Sequence, residues 1–236
     1  MLSVYSAYGN ILVTRMRLVM KSELSYLRQL KTPEITTAML MGAFSDYEDV
    51  RGKISSLSKK GLILPIKQGV YLLSSDLGLR PYSKEILANL IYGPSYISLE
   101  TALSNYGFIP EKVTAITSIS MGRGKSFSTP AGSFDYHHIK ESLYAVGVQL
   151  KEVFNGSFCQ YASPEKALLD FIHIKETKGE FRNQKDYFNY IQASYRLDLK
   201  SIESKVSLKK LQSYAEKYPF QHVNWFANEL TRNLVK

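Results

Sequence analysis

The stretch YASPEKALLDFIH, from Tyr161 to His173, carries a serine, two carboxylates, a lysine and a histidine, enough chemistry for an acid–base or nucleophilic site. An earlier stretch, YISLETAL from Tyr96 to Leu103, repeats its opening pattern, Tyr-x-Ser-x-Glu-x-Ala-Leu. On a helical wheel these groups separate. Lys166, Asp170 and His173 recur at i, i+4, i+7 on one narrow stripe, while Ala167, Leu168, Leu169, Phe171, Ile172 and Ile174 fill the wide apolar arc. The spacing predicts a solvated, ion-paired edge contributing about 0.3–0.5 kcal/mol. Ser163 is placed as an N-cap with Pro164 at N1, and Ser98 holds the same place in the earlier copy. Glu165 and Glu100 fall in the first turn, inside the apolar arc. There they are expected to meet the positive helix end and accept hydrogen bonds from unpaired backbone amides or an incoming loop. The two stretches therefore read as helix starts, with Ser98, Glu100, Ser163 and Glu165 as structural caps and no catalytic residue. A nuclease or nucleotide-modifying reading built on Glu165, Asp170 and His173 fails on the wheel, because those groups diverge.

Other candidate groups are no stronger. SMGRGKSFSTPAG (residues 120–132) has glycines and two cations, Arg123 and Lys125, but lacks P-loop spacing and precedes strand rather than helix, so it is expected to tip a hairpin. His137 and His138 are adjacent and would point to opposite faces of a strand; with His173 and His222 they give no metal set. Cys159 is the only cysteine, so no internal disulfide is possible, and its setting in Phe158-Cys159-Gln160-Tyr161 suits a small buried hydrophobe. No cofactor fingerprint appears. The apolar patch ILVTRMRLVM is broken by Arg15 and Arg17, and no run approaches the roughly 18 apolar residues of a membrane span, so a cytoplasmic protein is expected.

The elements that position these residues divide into two regions, 1–78 and 79–236. The net charge is +9, and residues 1–80, with 11 Lys+Arg against 6 Asp+Glu, hold more than half of it. That density favours a polyanionic partner there. SELSYLRQL, with Ser22 as cap and Leu24, Leu27 and Leu30 at helical spacing, reads as a first helix. TPEITTAML, with Thr32 as cap and Pro33 at N1, reads as a second ending at Gly42. YEDVRGKISSLSKKG, capped by Asp46 and stopped by Gly61, reads as a third with Val50, Ile54 and Leu57 toward the core. LILPIKQGVYLL follows as a hairpin turning at Lys67-Gln68-Gly69. Three helices and a hairpin are the order of a winged helix-turn-helix, whose third helix enters the major groove. Tyr47, Arg51, Lys53, Ser55, Lys59, Lys67 and Gln68 are then the expected DNA face, with Tyr47 and Arg51 as base readers and Lys67 and Gln68 at the wing tip. The alternative is a winged-helix scaffold that docks protein without binding DNA.

Residues 74–83, rich in Ser, Gly and Pro, read as the linker. Beyond it the chain is expected to form an α+β domain: a helix from Ser83 to Ile91, three to five antiparallel strands between about 112 and 162, and a helical tail broken near Gly179 and Pro219. In that tail KDYFNYIQASYRL interleaves aromatics with charge. At helical spacing those aromatics suit a core or a protein-docking face better than base stacking.

Together, YGPSYISLETALSNYGFIPE, a glycine-flanked basic turn, GSFDY and YASPEKALLD resemble the C-terminal domain of AbiEi-type antitoxins of abortive-infection toxin–antitoxin systems, and GLILPIKQGVYLL resembles the wing end of that family's N-terminal winged helix. The resemblance covers most of residues 22–175 and leaves the tail unmatched. It implies an N-terminal domain that binds double-stranded operator DNA and represses its own operon. It also implies a C-terminal domain that counters a nucleotidyltransferase-like toxin, with no small-molecule cofactor and no catalytic residues to carry over.

Overall fold

The computed structural model describes residues 23–154, 156–175 and 181–235. Ser22, the apolar stretch at 11–20 and the break near Gly179 lie outside the described residues. The chain is α+β and divides into two compact units between Ser83 and Lys84.

In the first unit a helix at residues 23–29 (α1) is followed by β1 (Glu34–Thr36), α2 (Thr37–Ala43), α3 (Val50–Lys59) and a hairpin, β2 (Ile63–Lys67) and β3 (Val70–Leu73). The three strands form an antiparallel sheet in the order β1-β3-β2. The core gathers Leu27, Ile35, Leu40, Phe44, Ile54, Leu57, Ile63, Leu73 and Leu77, with Val50 packed at its margin. Of the residues that helical spacing aligns, Leu27, Ile54 and Leu57 are in this core, while Leu24 and Leu30 pack at its margin.

Two helix starts differ from expectation. Thr32 and Pro33 do not open the second helix. Glu34–Thr36 is strand, because Ile35 and its neighbours pair with β3, and Thr36 becomes the cap by accepting from Met39 N. The carboxylate that looked like a first-turn helix residue, Glu34, is instead fully buried. It takes both guanidinium arms of Arg80 at 2.9 and 2.7 Å, the hydroxyl of Thr32 at 2.7 Å and the amide of Ser83. That clamp pins the 74–83 segment, whose composition suggests a free linker, onto β1. The third helix is capped by Asp49, not Asp46: Asp49 Oδ1 accepts from Gly52 N at 2.8 Å.

The second unit holds a six-stranded sheet in the order β6-β7-β5-β4-β9-β8, formed by β4 (Ser95–Ile97), β5 (Ile116–Ser120), β6 (Lys125–Thr129), β7 (Gly132–His138), β8 (Val148–Phe154) and β9 (Ser157–Ala162). It is larger than expected and mixed, since β4 pairs with β9 and β5 with β7 in parallel. Helices α4 (Lys84–Ile91), α5 (Leu99–Tyr106), α6 (Glu141–Tyr144) and α7 (Pro164–Ile174) are interleaved with the strands. Four more form the tail: α8 (Gln184–Tyr195), α9 (Leu199–Lys205), α10 (Leu208–Ala215) and α11 (Gln221–Leu234). The tail breaks at Arg196–Asp198 and Ser207 as well as near Pro219. It packs on α7 through α10 and α11, burying Phe188, Ile202, Leu211, Val223, Phe226 and Leu230. Each repeated motif occupies the same kind of place: β4 runs into α5 and β9 into α7, so the two are neighbouring strand-to-helix junctions at the carboxyl ends of two parallel strands.

The capping geometry explains the glycine inside α3. A Cβ at position 52 would lie 2.0 Å from the Asp49 carboxylate, so the cap and a side chain at 52 compete for one space. Asp49→Ala is expected to cost about 1 kcal/mol through the lost cap. Gly52→Ala should be nearly neutral alone, because about 1 kcal/mol of helix propensity offsets the displaced cap, yet stabilise the Asp49→Ala background by about 1 kcal/mol. Urea melts of the four proteins in this cycle check it; additive effects would refute the competition.

Candidate functional site

On the first unit, Arg51, Ser55, Ser58 and Lys59 from α3 meet Pro65, Lys67, Gln68 and Tyr71 from the hairpin across an open groove of about 700 Å³. Five of the seven residues expected to face DNA line it together: Arg51, Ser55, Lys59, Lys67 and Gln68. Three of these are cationic, and no carboxylate is among the described lining residues. Gly69, at φ +85°, makes the tight turn that carries Gln68 to the hairpin tip, and its carbonyl accepts from Thr37 N at 2.9 Å, anchoring the hairpin to α2.

The other two expected contacts are placed elsewhere, and each for a visible reason. Because α3 starts at Val50, Tyr47 precedes the helix and packs edge-on against Tyr26 and Phe44. Lys53 turns away from the groove toward Glu23 of α1, with Nζ 2.6 Å from Oε1 and 4.5 Å from the centre of the Tyr47 ring. Lys60 shares the same carboxylate at 2.8 Å. Burial pushes the Glu23 carboxyl up, but hydrogen bonds and charge from Lys53 and Lys60 outweigh it and hold the group below its ordinary value. Asp46, Glu48 and Asp49 precede α3 in the chain, Arg51 stands in its first turn, and the other two groove cations, Lys59 and Lys67, stand at its carboxyl end and on the hairpin.

In the second unit the stripe expected to be solvated is buried. Lys166 and Asp170 are both 0% exposed, with Lys166 Nζ 2.8 Å from Asp170 Oδ1. Asp170 Oδ1 also accepts from the Tyr218 hydroxyl at 2.7 Å, while Oδ2 accepts from Tyr96 at 2.9 Å and Ser98 at 2.8 Å. Lys166 completes its three donations with the carbonyl of Leu143 and the Tyr218 oxygen, both at 2.8 Å. The wheel located the stripe but not its surroundings: α6, β4 and the α10–α11 connection close over it. Burial first, then the adjoining carboxylate, drives the Tyr96 and Tyr218 phenols far above their ordinary range, so both stay protonated as donors. The three Lys166 protons, both Asp170 oxygens and the Tyr96, Ser98 and Tyr218 hydroxyl protons are all taken up within the cluster and its neighbouring backbone. The arrangement organises a core.

The four expected caps divide. Ser163 caps α7 by accepting from Lys166 N at 3.2 Å. Glu165 is buried, accepting from Ser163 Oγ and from the amide of Ser207, each at 2.8 Å; an incoming loop does satisfy it. Ser98, in contrast, makes no side-chain cap, because its hydroxyl is turned into the core to serve Asp170. The next residue, Leu99, has φ +54°, so the chain enters α5 by a different path and Thr117 Oγ1 accepts Thr101 N in place of a cap. Glu100 is half-buried rather than inward-facing. It pairs with Lys175 at 2.7 Å, and its Oε2 has no hydrogen-bond partner among the described residues.

The remaining candidates take structural places. Cys159 is buried, and burial pushes its thiol up to about 12, far from a reactive thiolate. Arg123 and Lys125 do not tip a hairpin: β5 and β6 are separated by β7, and the chain crosses between them, with Lys125 Nζ 5.0 Å from the centre of the Tyr92 ring. Burial lowers the pKa of His137, while His138 Nδ1 lies 3.1 Å from the carbonyls of Met121 and Gly122. Of the tail aromatics Tyr187 and Phe188 are core and Tyr190 is exposed.

Lys166→Met, which strands a buried carboxylate, is expected to cost about 3–5 kcal/mol. Glu165→Gln, which keeps the shape and weakens one charge-assisted bond, should cost about 1 kcal/mol and lower the melting temperature by about 2–4 °C. Thermal melts distinguish them; equal, negligible effects would contradict the burial of this cluster.

No protein-family model matches the chain, and no curated protein matches it. Among solved structures it is similar to the RV2827C protein from Mycobacterium tuberculosis, with a TM-score of 0.56 and 13% sequence identity over 91% of this chain and 76% of that one. At that identity the likeness is one of fold.

Proposed function

We propose that the chain is an antitoxin and transcriptional autorepressor whose first unit is a winged helix that binds operator DNA. The observation that carries the DNA-binding part is the groove between α3 and the hairpin, where Arg51, Lys59 and Lys67 gather with Ser55, Ser58 and Gln68 and no acidic side chain is among the described lining residues. Cations there neutralise phosphates, Ser and Gln donate to phosphate or base edges, and Arg51 can address a guanine with two donors. Tyr47 and Lys53 leave the proposed set, since their side chains serve the unit's own core. The antitoxin part is supported by the ordered motifs of the second unit, and the target would be a nucleotidyltransferase-like toxin. The saturated Lys166–Asp170 cluster favours recognition over catalysis in that unit.

A protein-docking reading of the first unit has one observation in its favour. A second groove, of about 510 Å³, is lined by Leu64, Leu72, Leu79, Pro81 and Tyr82, and Leu64 and Tyr82 are exposed.

Gel shifts with the DNA upstream of the gene separate the two readings. The wild-type chain should bind, and an Arg51/Lys59/Lys67 triple alanine variant should lose binding while keeping its melting temperature. The slope of log affinity against log salt should flatten by about one unit for each phosphate contact removed, as in Lys67→Ala. Unimpaired binding by the triple variant would assign the wrong face.

A further inference from the structure

Strand β8 closes one edge of the six-stranded sheet. The carbonyl of Gly147 accepts from Ser163 N, and in an antiparallel ladder the two backbone groups of a residue point the same way and alternate along the strand. Gln149 and Lys151 therefore bond inward to β9, opposite Tyr161 and Cys159, and Val148, Leu150 and Glu152 present their N–H and C=O groups outward. Side chains follow the same alternation. Gln149 Nε2 reaches the Tyr106 hydroxyl at 3.4 Å, and Lys151 Nζ lies 4.1 Å from the centre of the Tyr161 ring, so one face of the hairpin is occupied by the unit itself. On the other face Leu150 is 72% exposed beside Phe158, 53% exposed, its diagonal neighbour across the β8–β9 pair.

An edge on which Val148, Leu150 and Glu152 turn their backbone groups away from the sheet, beside two large exposed apolar side chains, is a template for strand addition. The opposite edge, β6, is shorter and carries exposed Lys125, Ser126 and Ser128, the kind of composition that discourages pairing. We propose that β8 pairs antiparallel with β8 of a second copy of this chain, with Leu150 on the two-fold axis.

The charge pattern and the apolar patch together point to that partner and that register, because centres on Val148 or Gln149 also avoid like charges but set Leu150 opposite Val146 or Val148 and not opposite its own copy. Outward-pointing residues must face outward-pointing residues, which limits the two-fold centre to a few positions. Centring on Lys151 sets two ammonium groups opposite each other, and centring on Glu152 sets two carboxylates opposite each other. Centring on Leu150 puts Leu150 against its copy, Val148 against Glu152 and Gln149 against Lys151, with no like charges facing. It also joins both Leu150–Phe158 patches into one apolar surface. The contact is isologous and closes, so it yields a dimer rather than a fibre.

Sedimentation equilibrium of the full chain at micromolar concentration should give twice the 26.8 kDa chain mass. Leu150→Glu, at a site exposed in the monomer, should return the mass to that of one chain with an unchanged circular dichroism spectrum. The register has its own readout. Facing residues of a hydrogen-bonded pair sit about 5.5 Å apart at Cα, within disulfide reach, so Leu150→Cys should cross-link to a covalent dimer under mild oxidation and Glu152→Cys should not. A chain that stays monomeric, a dimer indifferent to Leu150→Glu, or cross-linking through position 152 instead of 150 would each overturn the proposal. None of these readouts depends on DNA binding, so failure of one reading leaves the other standing.

Discussion

The second unit depends on one buried carboxylate. Asp170 accepts from Lys166, Tyr218, Tyr96 and Ser98, and Lys166 in turn holds the carbonyl of Leu143, so α7 is tied to β4, to α6 and to the tail through a single ion pair. In a low-dielectric interior such a group is tolerated only when every lone pair and proton is satisfied. Four separate segments must arrive in register for that to happen. Alternative packings of α7 would leave a charge unpaired, so the cluster acts as a specificity device for the whole unit. It also explains why the tail is integral: without Tyr218 the pair loses a donor to Asp170 and an acceptor for Lys166.

The duplicated motif shows how far a shared local pattern constrains structure. Both copies turn a parallel strand into a helix, and there the likeness ends. Pro164 presets the first turn of α7, so Ser163 can cap it and Glu165 can reach the Ser207 amide. Leu99 enters α5 with a left-handed backbone, so Ser98 is released from capping and recruited by Asp170, while Thr117 from the neighbouring strand takes over the amide of Thr101. A left-handed non-glycine residue carries a strain on the order of 1 kcal/mol, sustained here by complete burial of the leucine. The same serine serves a helix in one copy and a core in the other.

The first unit divides its charge between two tasks in a similar way. Glu23 and Glu34 are buried acids that draw in Lys53, Lys60 and Arg80 to fix α1 against α3 and the 74–83 segment against β1. The cations that line the groove are Arg51, Lys59 and Lys67. A count of positive residues overstates the surface available to a polyanion, because the fold consumes some of them.

Sequence alone determined the α+β class, the places of most helices and strands, the buried Leu27, Ile54 and Leu57, the Ser163 cap and the inward turn of Glu165, because these follow from spacing and from backbone chemistry within a few residues. It also brought Arg51, Ser55, Lys59, Lys67 and Gln68 together, since helix and hairpin periodicity fix which side chains share a face. Tertiary structure decided the rest. Glu34 became strand because β3 offers its hydrogen bonds; Lys53 left the groove because Glu23 lies across from it; β4 and β9 run parallel through pairing across more than sixty residues. Lys166 and Asp170 were legible as a polar stripe but not as a core, because burial is conferred by segments distant in sequence. A wheel records which residues share a side of one helix, and only the packed fold supplies what that side meets.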